Sequence, residues 1–198
     1  MSPRICAGDQ LLAFLHWQRL PLGAALKLGL LTRAGHEFMA GRIVIPELCA
    51  GQPIWLIGRA PAEDLAEDVP KYLGLPGAKP LLGWEQARGS ASVCVVEGVF
   101  DFLAVRQWGY PVVGMLGTNV RPDLVDQLRG LPRVYLVLDT DDAGVQATLA
   151  LREAIGPTAV PVALPDDVKD PAALASRPEG QAIFTESLLR AVGTPIAE

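Results

Sequence analysis

From residue 92 onward the chain alternates two patterns. Short Val-rich runs, "SVCVVEG", "YPVVGML", "RVYLVLD" and "TAVPVAL", show little polar alternation, as in strands buried on both faces. Between them lie helical patterns over Phe100–Trp108, over Pro122–Arg129 after the Asn119-Val120-Arg121 lead-in, and over Ala143–Ile155. Strand and helix alternate, which predicts an α/β fold with a parallel sheet of about four strands and helices on both faces. The stretch "ARGSAS" separates this regular half from a first half punctuated by Pro and Gly. It predicts a boundary between a smaller N-terminal subdomain, residues 1–89, and a sheet domain with a C-terminal helical segment, residues 90–198.

Composition narrows the function classes. With 17 Lys plus Arg against 22 Asp plus Glu, the formal charge of −5 excludes a protein that grips nucleic acid by overall positive potential, so any such contact is local. Cys6, Cys49 and Cys94 lack the paired spacing of a zinc site, which fits reduced thiols. His16 and His36 have no partner ligand nearby and are expected on a helix face or in a turn. No apolar stretch approaches the roughly 20 residues needed to span a bilayer. A soluble, cytoplasmic protein without a membrane partner is expected.

The carboxylates sit where such sheets gather ligands, at the carboxyl ends of strands. In "VVEGVFD", Glu97 ends a strand, Gly98 permits a turn and Asp101 falls in the first turn of the next helix. In "LDTDDAG", Asp139 and Asp141 lie two apart on an extended segment and share a side. Asp142 reads as the solvated cap of the following helix. Four carboxylates in one place repel one another unless cations or protons compensate. Mg²⁺, or Mn²⁺ in its place, suits an oxygen-only ligand set that also meets phosphates.

These two motifs together resemble the Toprim signature shared by bacterial-type primases, topoisomerases and some nucleases. The stretch "FLAVRQWGYPVVGMLGTNV" resembles the primase version, with its Leu116-Gly117-Thr118 turn. Upstream, "GRIVIPELCAGQPIWLIGRA" and "PKYLGLPGAKPLLG" resemble the subdomain that precedes Toprim in the primase polymerase core. The resemblance covers roughly residues 20 to 190 and implies that this first subdomain is α+β. Arg42, Arg59 and Lys71 match its nucleotide- or nucleic-acid-binding basic positions, and Asp170 in "DDVKDPAAL" matches a further metal-presenting aspartate.

The resemblance implies a metal-dependent nucleotidyltransferase that makes short RNA on a single-stranded DNA template from ribonucleoside triphosphates. Two metal ions would be held by Glu97, Asp139 and Asp141, with Asp101 and Asp170 completing the set. Glu97 would help to deprotonate the attacking hydroxyl, and Arg59 and Lys71 would neutralise the triphosphate. The sequence departs from the pattern in three places. It has no Cys-x-x-Cys zinc ribbon, "LGLPGAKP" replaces the usual turn after Lys71, with Lys79 the substitute for a later lysine, and Ala172 replaces a second aspartate. Weak activity, or dependence on a zinc-ribbon or helicase partner, follows. A Toprim nuclease and a non-catalytic binding module from a phage or mobile element are the alternatives.

Overall fold

The structure, a computed structural model, describes residues 38–61 and 67–193. The expectations for His16 and His36 lie outside the described residues. The chain divides into two compact units, residues 1–46 with 53–78, and residues 47–52 with 79–198.

Apart from residues 47–52, the first unit carries a three-stranded sheet in the order β1 (Ile43–Cys49), β2 (Gln52–Arg59), β3 (Tyr72–Gly74). Ala50 and Gly51 join β1 to β2 with positive φ at both residues, the turn geometry that matches strand twist. β3 runs antiparallel to β2, with Arg59 opposite Tyr72 and Ile57 opposite Gly74. Gly74 has to be glycine because a Cβ there would meet the Trp55 ring at 2.7 Å. The Trp55 indole N–H donates to the Leu75 carbonyl at 3.2 Å.

The second unit follows the alternation read from the sequence. In chain order it comprises α1 (Trp84–Ala87), β4 (Val93–Val96), α2 (Val99–Gln107), β5 (Val112–Gly114), α3 (Pro122–Arg129), β6 (Val134–Leu136), α4 (Asp142–Ile155), β7 (Ala159–Pro161), α5 (Pro171–Ala175) and α6 (Gly180–Gly193). β5, β4, β6 and β7 form one sheet in that order, and every neighbouring pair is parallel. This unit takes in residues 79–89, which the sequence boundary assigned to the first half. Leu81 and Ala87 belong to the core beneath the sheet, and Leu82 bridges Gly114.

All four residues of β4 are buried. Val93 and Val95 join Leu124, Leu128, Ala147 and Leu151 of α3 and α4 in one core. Cys94 points the other way, toward Tyr110, Tyr135 and Leu188 of α6, as the two-residue period of a strand requires. Burying each such valine stabilises the fold by about 1.5–3 kcal/mol.

The chain leaves β4 for β5 on one side and returns to β6 on the other. The crevice between the carboxyl ends of β4 and β6 is therefore the topological switch point, the place where open α/β sheets hold ligands. Glu97 follows β4 and Asp139 follows β6.

Candidate functional site

Glu97 and Asp139 meet across that switch point. Glu97 Oε1 accepts the backbone N–H of Asp139 at 3.1 Å. Gly144, in the first turn of α4, makes room for them, since a Cβ there would stand 2.7 Å from Glu97 Oε1 and collide with the Asp139 carbonyl. Burial raises the Glu97 carboxyl to about 7, and the neighbouring Asp139 charge adds to the effect. Burial also raises Asp139, while the Lys169 ammonium opposes the shift.

Asp141 is the N-cap of α4, its Oδ1 accepting the Gly144 N–H at 3.0 Å. The sequence reading gave the capping role to Asp142, which is instead the first helical residue, where its charge complements the helix dipole. Asp139 and Asp141 do share a side, because both face Lys169. Its Nζ lies 3.2 Å from Asp139 Oδ2 and 3.7 Å from Asp141 Oδ2. Lys169 was missed in the sequence. Its backbone is tied to the acidic loop, with Thr140 N–H donating to the Lys169 carbonyl at 3.0 Å.

Asp101, expected as a further metal ligand, is engaged by two backbone groups. It is 6% exposed, and its oxygens receive the Gly98 N–H at 3.0 Å and the Ala172 N–H at 2.9 Å. It clasps the start of α2 to the start of α5. Burial lifts its carboxyl to about 6, against the pull of the Ala172 N–H. Asp170 caps α5 by accepting the Ala173 N–H at 2.7 Å. Lys79 belongs to the same unit, where its Nζ donates to the carbonyl of Leu116 at 3.0 Å. Leu116 has a positive φ of 60°, so this turn beside Glu97 is held in a conformation that L-residues seldom adopt.

An oxygen-only set of Glu97, Asp139 and Asp141 has the donor chemistry for Mg²⁺ or Mn²⁺. The Lys169 ammonium pairs with two of these carboxylates. Among the described residues, no three acidic or other metal-binding side chains already converge at ligating distance.

The first unit holds the basic residues Arg42, Arg59 and Lys71. Arg59 is 9% exposed. It forms no ion pair among the described residues, and its Nε has no hydrogen-bond partner. The guanidinium lies 5.4 Å from the Tyr72 ring centroid, and one of its NH groups donates to the Ala60 carbonyl. Arg42 donates to the Lys71 carbonyl at 3.3 Å, while the Lys71 residue is exposed. A guanidinium has the donor geometry to bind a phosphate through paired hydrogen bonds.

The Toprim domain family matches residues 91–163. Among solved structures, the chain is similar to a DNA primase domain from Pseudomonas aeruginosa, with 27% identity and a TM-score of 0.69 over 85% of this chain and 58% of that one. It is similar to the zinc-binding and RNA polymerase domains of Aquifex aeolicus primase, with 26% identity and a TM-score of 0.73 over 95% of this chain and 49% of that one. The RNA polymerase domain of Mycobacterium tuberculosis primase, solved with a double-stranded DNA oligomer bearing a 6-nucleotide overhang, shares the fold with 23% identity and a TM-score of 0.74, over 92% of this chain and 64% of that one. A sequence comparison with curated proteins gives no match.

Residues 91–163 thus match the Toprim domain family within an α/β fold. The chain's fold is similar to the catalytic core of bacterial DNA primases, and it spans about half to three-fifths of the length of the Aquifex and Pseudomonas structures. No helix among the described residues is long and apolar enough to cross a membrane.

Proposed function

We propose that the chain is a primase-type nucleotidyltransferase that depends on a divalent metal and makes short RNA on single-stranded DNA. The observation that carries this reading is the junction of Glu97 and Asp139 at the switch point of the sheet. Glu97, Asp139 and Asp141 would hold Mg²⁺ or Mn²⁺, with Asp170 nearby in sequence to Lys169 as a further oxygen donor. Bound there, a divalent ion supplies Lewis-acid stabilisation of the attacking and leaving oxygens in phosphoryl transfer.

The chain's own residues do the rest. The Asp139 N–H holds Glu97 Oε1, leaving Oε2 to take the proton of the attacking 3′-hydroxyl. Asp101 fixes the helix starts that present Glu97 and Asp170. Arg59 and Lys71 bind the triphosphate of the incoming ribonucleotide, with Arg42 alongside, so their work is positioning and charge neutralisation. The acidic net charge leaves template grip to a zinc-ribbon or helicase partner.

The test is synthesis on single-stranded DNA with Mn²⁺ and labelled ribonucleotides. Short RNA that disappears in an Asp139→Asn, Asp141→Asn double variant is the expected result. DNA cleavage without synthesis would move the assignment to a Toprim nuclease, which needs the same platform with water as nucleophile. Bound metal with neither product, even after a zinc-ribbon module is added in trans, would leave a binding module.

A further inference from the structure

We infer that Lys169 is the built-in counter-cation of the acidic platform: its ammonium holds the place of a divalent ion between Asp139 and Asp141 and leaves when the metal arrives. The inference rests on the metal reading above and adds a competition that sets how much metal the site requires.

The first support is position. A single Nζ reaches Asp139 Oδ2 at 3.2 Å and Asp141 Oδ2 at 3.7 Å. Asp139 is the more buried of the two, its side chain 16% exposed, so it is the carboxylate that most needs a counter-charge when no metal is present.

The second support is the contrast between backbone and side chain. Thr140 N–H donates to the Lys169 carbonyl at 3.0 Å, and the Thr140 hydroxyl donates to the Val168 carbonyl at 3.4 Å. The segment beyond is held by the Asp101 bond to Ala172 and the Asp170 cap on Ala173. The main chain of Lys169 is therefore pinned to the loop that carries both aspartates. Its side chain is 59% exposed and can swing out on four rotatable bonds without breaking any of these contacts.

The third support is the choice of residue. A guanidinium would lock onto a carboxylate through two parallel bonds. An ammonium is a compact, strongly hydrated point charge that returns to water readily. A partly exposed pair of this kind is worth at most about 1 kcal/mol, or about fivefold in an equilibrium constant. That is enough to hold the aspartates together and too little to keep out a divalent ion.

Mn²⁺ binding by calorimetry at fixed ionic strength tests the competition. Lys169→Met should bind Mn²⁺ about fivefold more tightly than the unmodified chain, while Lys169→Arg, which keeps the positive charge, should bind no more tightly. Release of the ammonium is tested by the Lys169 ¹³Cε resonance, which should move to the position of fully exposed lysines as Mg²⁺ saturates the site. Equal or weaker Mn²⁺ binding by Lys169→Met overturns the inference, as does a Lys169 resonance that stays put at saturating Mg²⁺. Should Lys169→Met match the unmodified chain while the Asp139→Asn, Asp141→Asn variant loses Mn²⁺, the inference falls and the metal platform stands. Should none of these proteins bind Mn²⁺, both fall.

Discussion

Glu97 takes the backbone N–H of Asp139 across 42 residues of sequence, at 3.1 Å. One bond thereby couples the ends of two adjacent parallel strands and places a half-buried carboxyl beside a second carboxylate. The energetic consequence depends on pH. The Glu97 carboxyl titrates near 7 in the folded chain, against an ordinary value of 4.5. On raising the pH, the unfolded chain releases this proton first, so stability falls between about 4.5 and 7 and stays reduced above that window. Asp101, lifted to about 6, acts in the same direction.

Glu97→Gln keeps an oxygen for the Asp139 N–H and removes the charge. With metal chelated, it should be more stable than the unmodified chain at pH 8 by about 1–2 kcal/mol, after discounting for solvent screening. At pH 4 the two should be equal. Urea unfolding at both pH values checks this, and a variant equally stable or less stable at pH 8 would refute it. The same substitution should abolish synthesis, because the amide can neither accept the proton nor serve as an anionic ligand.

Asp101→Asn should destabilise the fold by about 1–3 kcal/mol, since an amide has one acceptor oxygen and its NH₂ would face a backbone N–H. Asp142→Asn, at an exposed position in the first turn of α4, should cost only a few tenths. Under the proposed function, in which Asp139 holds the metal and Asp101 fixes the helix starts, Mn²⁺ affinity should fall less in Asp101→Asn than in Asp139→Asn. Urea unfolding and Mn²⁺ calorimetry on the three variants separate these roles.

The elements most legible in the sequence are those whose signal is local. Val93–Val96 reads as a strand because a strand buried on both faces is continuously apolar. Glu97 and Asp139 stand out because both follow apolar strand runs directly, in two motifs at the spacing of the resembled family. The clasp made by Asp101 was not legible, since one of its partners is the backbone N–H of Ala172, and a backbone group has no identity in a sequence. Lys169 escaped for a related reason. Nothing in "DDVKD" marks it, and its role exists only because the chain after β7 passes over the loop at Thr140. The exchange of Asp141 for Asp142 as cap is a one-residue shift of a helix start, which propensity cannot resolve.

Gly144→Ala sets intrinsic propensity against the site. Within a helix, alanine is preferred to glycine by about 1 kcal/mol. Here the added methyl would lie 2.7 Å from Glu97 Oε1 and press on the Asp139 carbonyl. The variant should therefore be less stable by about 1–3 kcal/mol, the usual cost of overpacking, and should bind Mn²⁺ more weakly. A stabilised variant would show that α4 can move away from the strand ends, and that the close approach there is not required.

The basic residues of the first unit are expected to act on nucleotide and not on metal. Lys71 is exposed, and its carbonyl accepts Ala60 N–H at 3.0 Å and an Arg42 N–H, so Lys71→Ala removes an ammonium and leaves the backbone pairing intact. It should raise the KM for ribonucleotides about tenfold, the scale of one charge-assisted phosphate contact, with Mn²⁺ affinity unchanged. Arg59 is the sharper case. A buried guanidinium whose Nε lacks a partner is costly to hold, so Arg59→Met, which keeps apolar contact with Tyr72, should leave the metal-free chain as stable as before or more so. The same change should lose the stabilisation that pyrophosphate confers on the unmodified chain. Thermal unfolding with and without pyrophosphate, metal chelated throughout, reads both effects. If Arg59→Met responds to pyrophosphate like the unmodified chain, Arg59 is not a phosphate receptor and its burial against Tyr72 is structural.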